Sequence, residues 1–376
     1  MVRVNTFFDQ SIRRAALAGL LALATSALVA QAQTFSTPKN ISNGTGASFP
    51  PRIAVDSRGN INVVWEEGDT LGNFNIFFSR STDGGATFST PKNLSNDTRS
   101  EVPQIAVDSS GNINVVWNAL VPPSLGNFGI FFSRSSDGGA TFSTPKNLSS
   151  NLVNSAQPQI GLDSSGNINL VWAGIVSDSI VNILFSRSTD GGATFSTPKN
   201  LSNYTGFCGT CSGVPQVAID SSGNINVIWR GFGPGIMDTF FSRSTDGGVT
   251  FSTPKRISNS TDVGGFGTPQ IAVDSSGNIN VLWELEVVPP IVDILFSRSS
   301  DGGATFSAPK NLSNNLGQSS LEHMAVDSSG NINVVWQERF AGDVFLSRSS
   351  DGGCTFSVPK NLSNDTKSGQ DRKSVV

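Results

Sequence analysis

Ser79 to Ser95 reads SRSTDGGATFSTPKNLS, and these residues return with few changes from Ser133, Ser186, Ser242, Ser297 and Ser347. Six copies in one chain make this a repeat protein, in which a single supersecondary unit stacks on copies of itself to bury a shared core. The kernel is Ser, any residue, Asp, Gly, Gly, any residue, Thr, Phe. In a tight hairpin the Asp carboxylate accepts from backbone N–H groups of its own turn, the glycines supply positive φ, and the Thr hydroxyl closes the loop. The Phe then enters the following strand as a large apolar anchor.

Working outward from the kernel, one unit from Pro103 reads PQIAVDSSGNINVVW, a variable stretch, IFFSRSSDGGATFSTPKNLS, and a second variable stretch. Trp65, Trp117, Trp172, Trp229, Trp283 and Trp336 each close the same segment, at spacings of 52, 55, 57, 54 and 53. Four runs per unit read as strands: A (QIAVD), B (NINVVW), C (the IFFSRS run) and D (TFSTPKNLS). A period in the fifties with four strands fits a propeller blade and is too long for one solenoid coil. The expected fold is therefore all-β, a β-propeller of four-stranded blades spanning 33–370, with six blades visible and six or seven in the full protein. The Asp-Ser-Ser-Gly-Asn turn between A and B, as at 108–112, reads as a hairpin. A calcium loop is the alternative there, but it lacks the further acidic ligands of a hard-cation site.

The kernel resembles the Asp box of the sialidase (BNR) repeat family, S-x-D-x-G-x-T-W/F. Here Phe88, Phe142, Phe195, Phe251, Phe306 and Phe356 take the last position, and Asp83, Asp137, Asp190, Asp246, Asp301 and Asp351 are the box carboxylates. The resemblance covers nearly all of 34–370. It implies a structural role for the boxes, because in that family they lie away from the active site.

A chain of 376 residues would ordinarily divide into two or three domains, but the repetition favours one closed array. Charged residues make up only 14%, and Gly, Ser, Asn and Thr fill the stretches between apolar runs. At the N-terminus, Arg13 and Arg14 precede the apolar run 15–30 and the A-x-A pattern Ala30-Gln31-Ala32, which reads as a secretory signal peptide over 1–32. A membrane anchor is the competing reading, and the run is short for a span. Cleavage removes Arg3, Arg13, Arg14 and Asp9 and takes the net charge from −4 to −6. A mildly acidic chain with no basic run argues against nucleic acid and anionic membranes as partners. The expected location is secreted, cell-surface or periplasmic, with no span in the mature chain.

Because A, B, C and D run antiparallel, A–B turns and Asp boxes share one face of the array and are nearly invariant between repeats. The B–C loops and D–A links share the opposite face, and these vary. Specific function belongs on that variable face, since loops on a rigid scaffold carry it. The B–C stretches are 66–75, 118–129, 173–182, 230–238, 284–293 and 337–343. Several are apolar at their tips, as at Leu120, Val121, Pro122 and Pro123, at Ile175 and Val176, at Phe232, Pro234 and Ile236, and over 287–291. Such tips either pack together over the central channel or form a surface for a glycan or an extracellular protein.

Cys208 and Cys211, in GFCGTCSG, suit a short local disulfide in an exported protein. Zinc would need two more ligands, and His323 with Cys354 is no convincing complement. Cys354 stands where other boxes have Ala or Val, and His323 takes the place of the Gln in the Pro-Gln pair; both read as structural. No metal or cofactor is called for.

Catalytic sialidases use a Tyr nucleophile helped by a Glu, an Asp acid/base and three arginines on the substrate carboxylate, and carry an F/Y-R-I-P motif. In Pro50-Pro51-Arg52-Ile53 only the Arg-Ile pair survives, and the only tyrosine is Tyr204, in NLSNYTGF. Arg230 and Arg339 follow strand B tryptophans, with Glu66, Glu67, Glu284 and Glu338 nearby. An exo-α-sialidase would thus be assembled from Tyr204, Arg52, Arg230, Arg339 and Glu338. The arginines of the FSRS runs recur once per blade and read as structural. Near-identical blades weigh against a one-site enzyme, so the leading expectation is a non-catalytic binding module for a glycan or an extracellular protein.

Two ends depart from the pattern. Residues 34–42, TFSTPKNIS, are a strand D with no A, B or C before it, as a ring closed from both chain ends would require. After the sixth strand D, residues 364–370 resemble a D–A link, and Asp371 to Val376 (DRKSVV) resemble the translation of a sequencing adapter. The expectation is that these six residues are non-native and that a seventh blade is closed by 34–42.

Overall fold

The structure, a computed structural model, describes residues 37–363 apart from 43, 45, 70–72, 96–98, 122–125, 153, 178–179, 205–211, 233–236, 259–266, 289–290, 315–316 and 339–341. Residues 37–40 belong to a separate unit and form no strand. From Ile41 onward the described residues hold twenty-four strands and no helix.

Blade 1 contains β1 (Ser48–Val55), β2 (Ile61–Gly68), β3 (Phe74–Ser81) and β4 (Lys92–Asn93). Blade 2 contains β5 (Ser100–Val107), β6 (Ile113–Leu120), β7 (Phe128–Ser135) and β8 (Lys146–Asn147). Blade 3 contains β9 (Ser155–Leu162), β10 (Ile168–Ser177), β11 (Ile180–Ser188) and β12 (Lys199–Asn200). Blade 4 contains β13 (Ser212–Ile219), β14 (Ile225–Phe232), β15 (Met237–Ser244) and β16 (Lys255–Arg256). Blade 5 contains β17 (Gln270–Val273), β18 (Ile279–Val288), β19 (Ile291–Ser299) and β20 (Lys310–Asn311). Blade 6 contains β21 (Ser319–Val326), β22 (Ile332–Glu338), β23 (Val344–Ser349) and β24 (Lys360–Asn361).

Each blade is an antiparallel sheet in the order A-B-C-D. Strand D is shorter than the sequence suggests, only two residues in every blade. The rest of TFSTPKNLS runs extended without a ladder, because its proline has no N–H and only isolated bonds reach strand C, such as Ser89 N–H to the Arg80 carbonyl at 2.8 Å.

The core explains the sequence of strand B. Successive side chains alternate between the sheet's two faces, and in a propeller both faces meet a neighbouring blade. Ile113, Val115 and Trp117 turn to blade 1 and pack with Val64, Ile76, Phe78 and Leu94, while Val116 turns to blade 3 and packs with Ile168, Leu170 and Trp172. The same arrangement joins blades 3 to 4, 4 to 5 and 5 to 6. An unbroken apolar run is what a strand buried on both sides needs, and each tryptophan fully removed from water contributes about 1.5–3 kcal/mol.

Two polar modules lock the conserved face. In the A–B turn, Asp108 Oδ1 accepts from the N–H groups of Ser110 and Asn112, and Oδ2 accepts from Asn112 Nδ2. The FSRS arginine of the same blade, Arg134, reaches that Oδ2 at 3.1 Å. The turn is closed by the chain's own donors. In the Asp box, Asp83 Oδ1 accepts from Ser81 Oγ and from the Thr87 N–H, both at 2.8 Å, and Oδ2 accepts from Thr87 Oγ1 at 2.6 Å. These bonds hold the Asp83 carboxyl down to about 2. The turns at Asp56 and Ser110 and the box at Asp137 line one crevice, so both modules do share a face.

Candidate functional site

At the opposite ends of the strands, the innermost strands A enclose a cavity of about 440 Å³ to which all six blades contribute. The same register position supplies one side chain from each blade: Arg52, Gln104, Gln159, Gln216, Gln270 and His323 all line it. Four amides, one guanidinium and one imidazole thus ring the axis.

Their aim has a local cause. Strands β1, β5, β9, β13 and β21 each carry a bulge just before this position, for instance between Glu101 and Gln104. Bulges re-aim the following side chains and cluster beside binding sites. Val102, Gln157, Val214 and Leu321 sit in four of these bulges with φ of 55°, 57°, 46° and 57°, in the left-handed region that side chains rarely adopt. Neighbouring blades hold three of them there. Glu66 Oε1 accepts from the Val102 N–H at 2.6 Å, Gln157 Oε1 from the Val214 N–H at 2.8 Å, and Glu284 Oε1 from the Leu321 N–H at 3.1 Å. Backbone strain concentrated at one cavity mouth is the pattern of a site held in readiness.

The ring has spare hydrogen-bonding capacity. Among the described residues the side-chain amides of Gln159, Gln216 and Gln270 make no hydrogen bond. Gln104 accepts from Arg52 Nε at 3.3 Å and leaves its buried Nε2 without a partner.

Arg230, Glu284 and Glu322 line the same cavity. Glu322 is buried and stands where the other repeats have proline. Burial drives its carboxyl well above the ordinary range, and the adjacent charge of Glu284 pushes the same way. Burial lowers the Arg230 pKa, and the Glu284 charge opposes that shift. His323 is held down by burial and by Arg52. Burial likewise raises Glu66, against the bond from Val102. The cavity therefore sets two neighbouring carboxyls, one of them driven upward, beside a guanidinium.

Of the residues considered for a sialidase centre, the described ones fall in different places. Arg52 and Arg230 line the cavity. Tyr204 is not among its lining residues; its N–H donates to Asn182 Oδ1 at 2.8 Å, which ties it to blade 3. Glu338 is committed to Ser319, whose Oγ donates to it at 2.6 Å. Arg339, Cys208 and Cys211 lie outside the described residues. Glu67 accepts from the Trp65 indole N–H at 2.9 Å. Sequence reasoning missed Glu322, although a signal existed in the Glu-His pair that replaces Pro-Gln in the sixth repeat. Of the apolar loop residues, Val176 is exposed and Leu120, Val121, Ile175 and Phe232 are half-buried; Pro122, Pro123, Pro234 and Ile236 lie outside the described residues.

The chain has a sialidase-like β-propeller fold, as solved structures also show. It is similar to the intramolecular trans-sialidase of Ruminococcus gnavus, with a TM-score of 0.53 and 12% identity over 78% of this chain and 90% of that one. It is also similar to an α-L-arabinanase of Penicillium chrysogenum, with a TM-score of 0.52 and 13% identity over 80% and 93% of the two chains. A polysaccharide lyase acting on ulvan gives a TM-score of 0.57 and 13% identity over 85% and 83%. No protein-family profile and no curated protein sequence matches the chain.

Proposed function

We propose that this is an exported glycan-binding propeller whose ligand seats in the axial cavity. The observation that carries this reading is the ring of side chains at one register position, with three amides that make no hydrogen bond among the described residues. Amides and guanidinium groups arrayed in a concave site suit a polyhydroxylated ligand, since each sugar hydroxyl both donates and accepts. Arg52 and Arg230 add affinity for a sugar carboxylate. The three similar structures named above are a trans-sialidase, a polysaccharide lyase and an arabinanase, which supports the same ligand class. The apolar run 15–30 after Arg13 and Arg14, read as a signal peptide, supports export. A glycan array probed with the purified chain tests the reading: retention of neutral or uronate-bearing oligosaccharides is expected, and failure to retain any glycan contradicts it.

One observation favours an enzyme as the second reading. Burial and the neighbouring Glu284 charge drive the Glu322 carboxyl upward, the direction a general acid needs. An exo-α-sialidase is the less supported form of that reading, because Tyr204 and Glu338 are engaged elsewhere. Hydrolysis or elimination on a panel of sialosides, arabinans and uronates that disappears in Glu322→Gln would establish the enzyme. Binding without turnover would favour the lectin-like reading.

A further inference from the structure

The interface between successive blades is one module repeated five times. Its leading half comes from strands B, C and D of one blade, at the positions of Val64, Ile76, Phe78 and Leu94 in blade 1. Its receiving half comes from the next blade, at the positions of Ile105, Val107, Ile113, Val115, Trp117, Phe131 and Phe142 in blade 2. The strand C phenylalanine meets the next Asp-box phenylalanine edge-on, with ring centroids 4.9 to 5.2 Å apart in all five interfaces. The strand D lysine then reaches the carbonyl next along that box: Lys92 to Ala140, Lys146 to Ala193, Lys199 to Val249, Lys255 to Ala304 and Lys310 to Cys354.

Blade 6 presents the leading half with nothing against it. Leu362 is 47% exposed, whereas its equivalents Leu94, Leu201 and Leu312 are 3 to 6% exposed. Val344 is 37% exposed where Ile76, Ile130 and Ile294 are fully buried. Val335 and Leu346 are half-buried at positions that are closed in the earlier blades, and Lys360 has no acceptor among the described residues. Blade 1 presents the receiving half in the same state. Ile53 and Val55 are 64% and 60% exposed, and Ile61 is half-buried where Ile113, Ile168 and Ile225 are closed. A Cβ on Gly85 would touch only Ile61, at 3.5 Å, whereas a Cβ on the matching glycine of blades 2 to 6 would stand 2.2 to 2.5 Å from a phenylalanine of the blade before.

We propose that these two faces are the walls of a seat for one more Asp-box blade. The occupant is specified by the register. It offers a Trp and an Asp-box Phe to Val335, Leu346 and Leu362, and a strand C Phe and strand D Lys to Gly85, Phe88 and the first box. The sequence carries a further copy of the strand D motif, TFSTPKNIS, at 34–42. A second propeller is the poorer occupant. Its first blade would bring five more into the space already filled by this ring.

The test uses Leu362→Asp and Leu312→Asp in the full chain, and in the full chain extended after Ser363 by a copy of residues 319–363. In the unextended chain Leu312→Asp is expected to lower Tm by more than about 5 °C and Leu362→Asp by less than about 1 °C. The extension should raise Tm, reduce binding of a hydrophobic dye, and make Leu362→Asp as damaging as Leu312→Asp. Equal damage from the two substitutions in the unextended chain would overturn the proposal, because the faces would then be closed already. Sedimentation of the unextended chain as a dimer that Leu362→Asp dissociates would overturn it in favour of a second copy. This reading does not depend on the axial ligand, and neither outcome bears on glycan binding.

Discussion

Phe78 of blade 1 lies edge-on to Phe142 of blade 2, with ring centroids 5.0 Å apart, and its Cε1 stands 2.4 Å from where a Cβ on Gly139 would be. The glycine is therefore required twice, by its φ of 87° and by the ring pressed against it. Gly85, at φ 91°, has the same backbone and no ring.

Comparing Gly139→Ala with Gly85→Ala separates these two requirements. Both should lose about 1–3 kcal/mol to the strained φ, and Gly139→Ala should lose about 1–3 kcal/mol more to overpacking. Equilibrium urea unfolding measures the difference. Equal losses would mean the Phe78 contact yields at no cost.

The Asp boxes make the fold acid-sensitive. Asp83, Asp190, Asp246, Asp301 and Asp351 titrate at about 2 in the folded chain, and hydrogen bonds to the box threonine lower each most. A carboxylate depressed by folding contributes stability that is full above its unfolded pKa of about 3.9 and is lost as pH falls through about 2. Thermal melts from pH 5 to pH 2 should show Tm falling steeply below pH 4. Asp190→Asn should shallow that slope while lowering Tm at pH 7.

Glu322 has the opposite sign. Its folded carboxyl keeps its proton above the pH at which the unfolded chain releases it, so its contribution to stability falls as pH rises past about 4.5. Glu322→Gln, neutral at every pH, should match the parent near pH 4 and exceed its Tm at pH 8 by about 2 °C or more. Identical pH profiles would show that Glu322 ionises freely.

Asp220 ties the fourth A–B turn to Arg243 at 2.9 Å and is itself buried. Asp220→Ala strands the Arg243 guanidinium and two turn N–H groups, and should cost about 3–5 kcal/mol. The charge-free double variant Asp220→Ala with Arg243→Met should recover part of that loss. Chemical denaturation of all three chains decides it.

The propeller was legible because its determinants are local and repeated. Asp83, Gly84 and Thr87 specify a box by themselves, and Trp65 to Trp336 count the blades. The short strand D was not legible, since TFSTPKNLS alternates like a strand while Pro91 and a missing partner prevent the ladder. The site was half legible. Its face followed from antiparallel order and Arg52 and Arg230 followed from their register, but the carboxyl pair is made by the fold, which brings Glu284 of β18 beside Glu322 of β21. Tyr204 and Glu338 looked equally available in sequence. Their bonds to Asn182 and Ser319 depend on neighbours about twenty residues away.

The central claim is that a glycan occupies the axial cavity, and calorimetric titration of the best-retained oligosaccharide into the parent chain and into Gln216→Ala with Gln270→Ala tests it most directly. Neither amide supports the fold through a hydrogen bond among the described residues, so Tm should hold while affinity falls at least about tenfold, a loss of about 1.4 kcal/mol. Unchanged affinity in the double variant would place the ligand elsewhere and contradict the account.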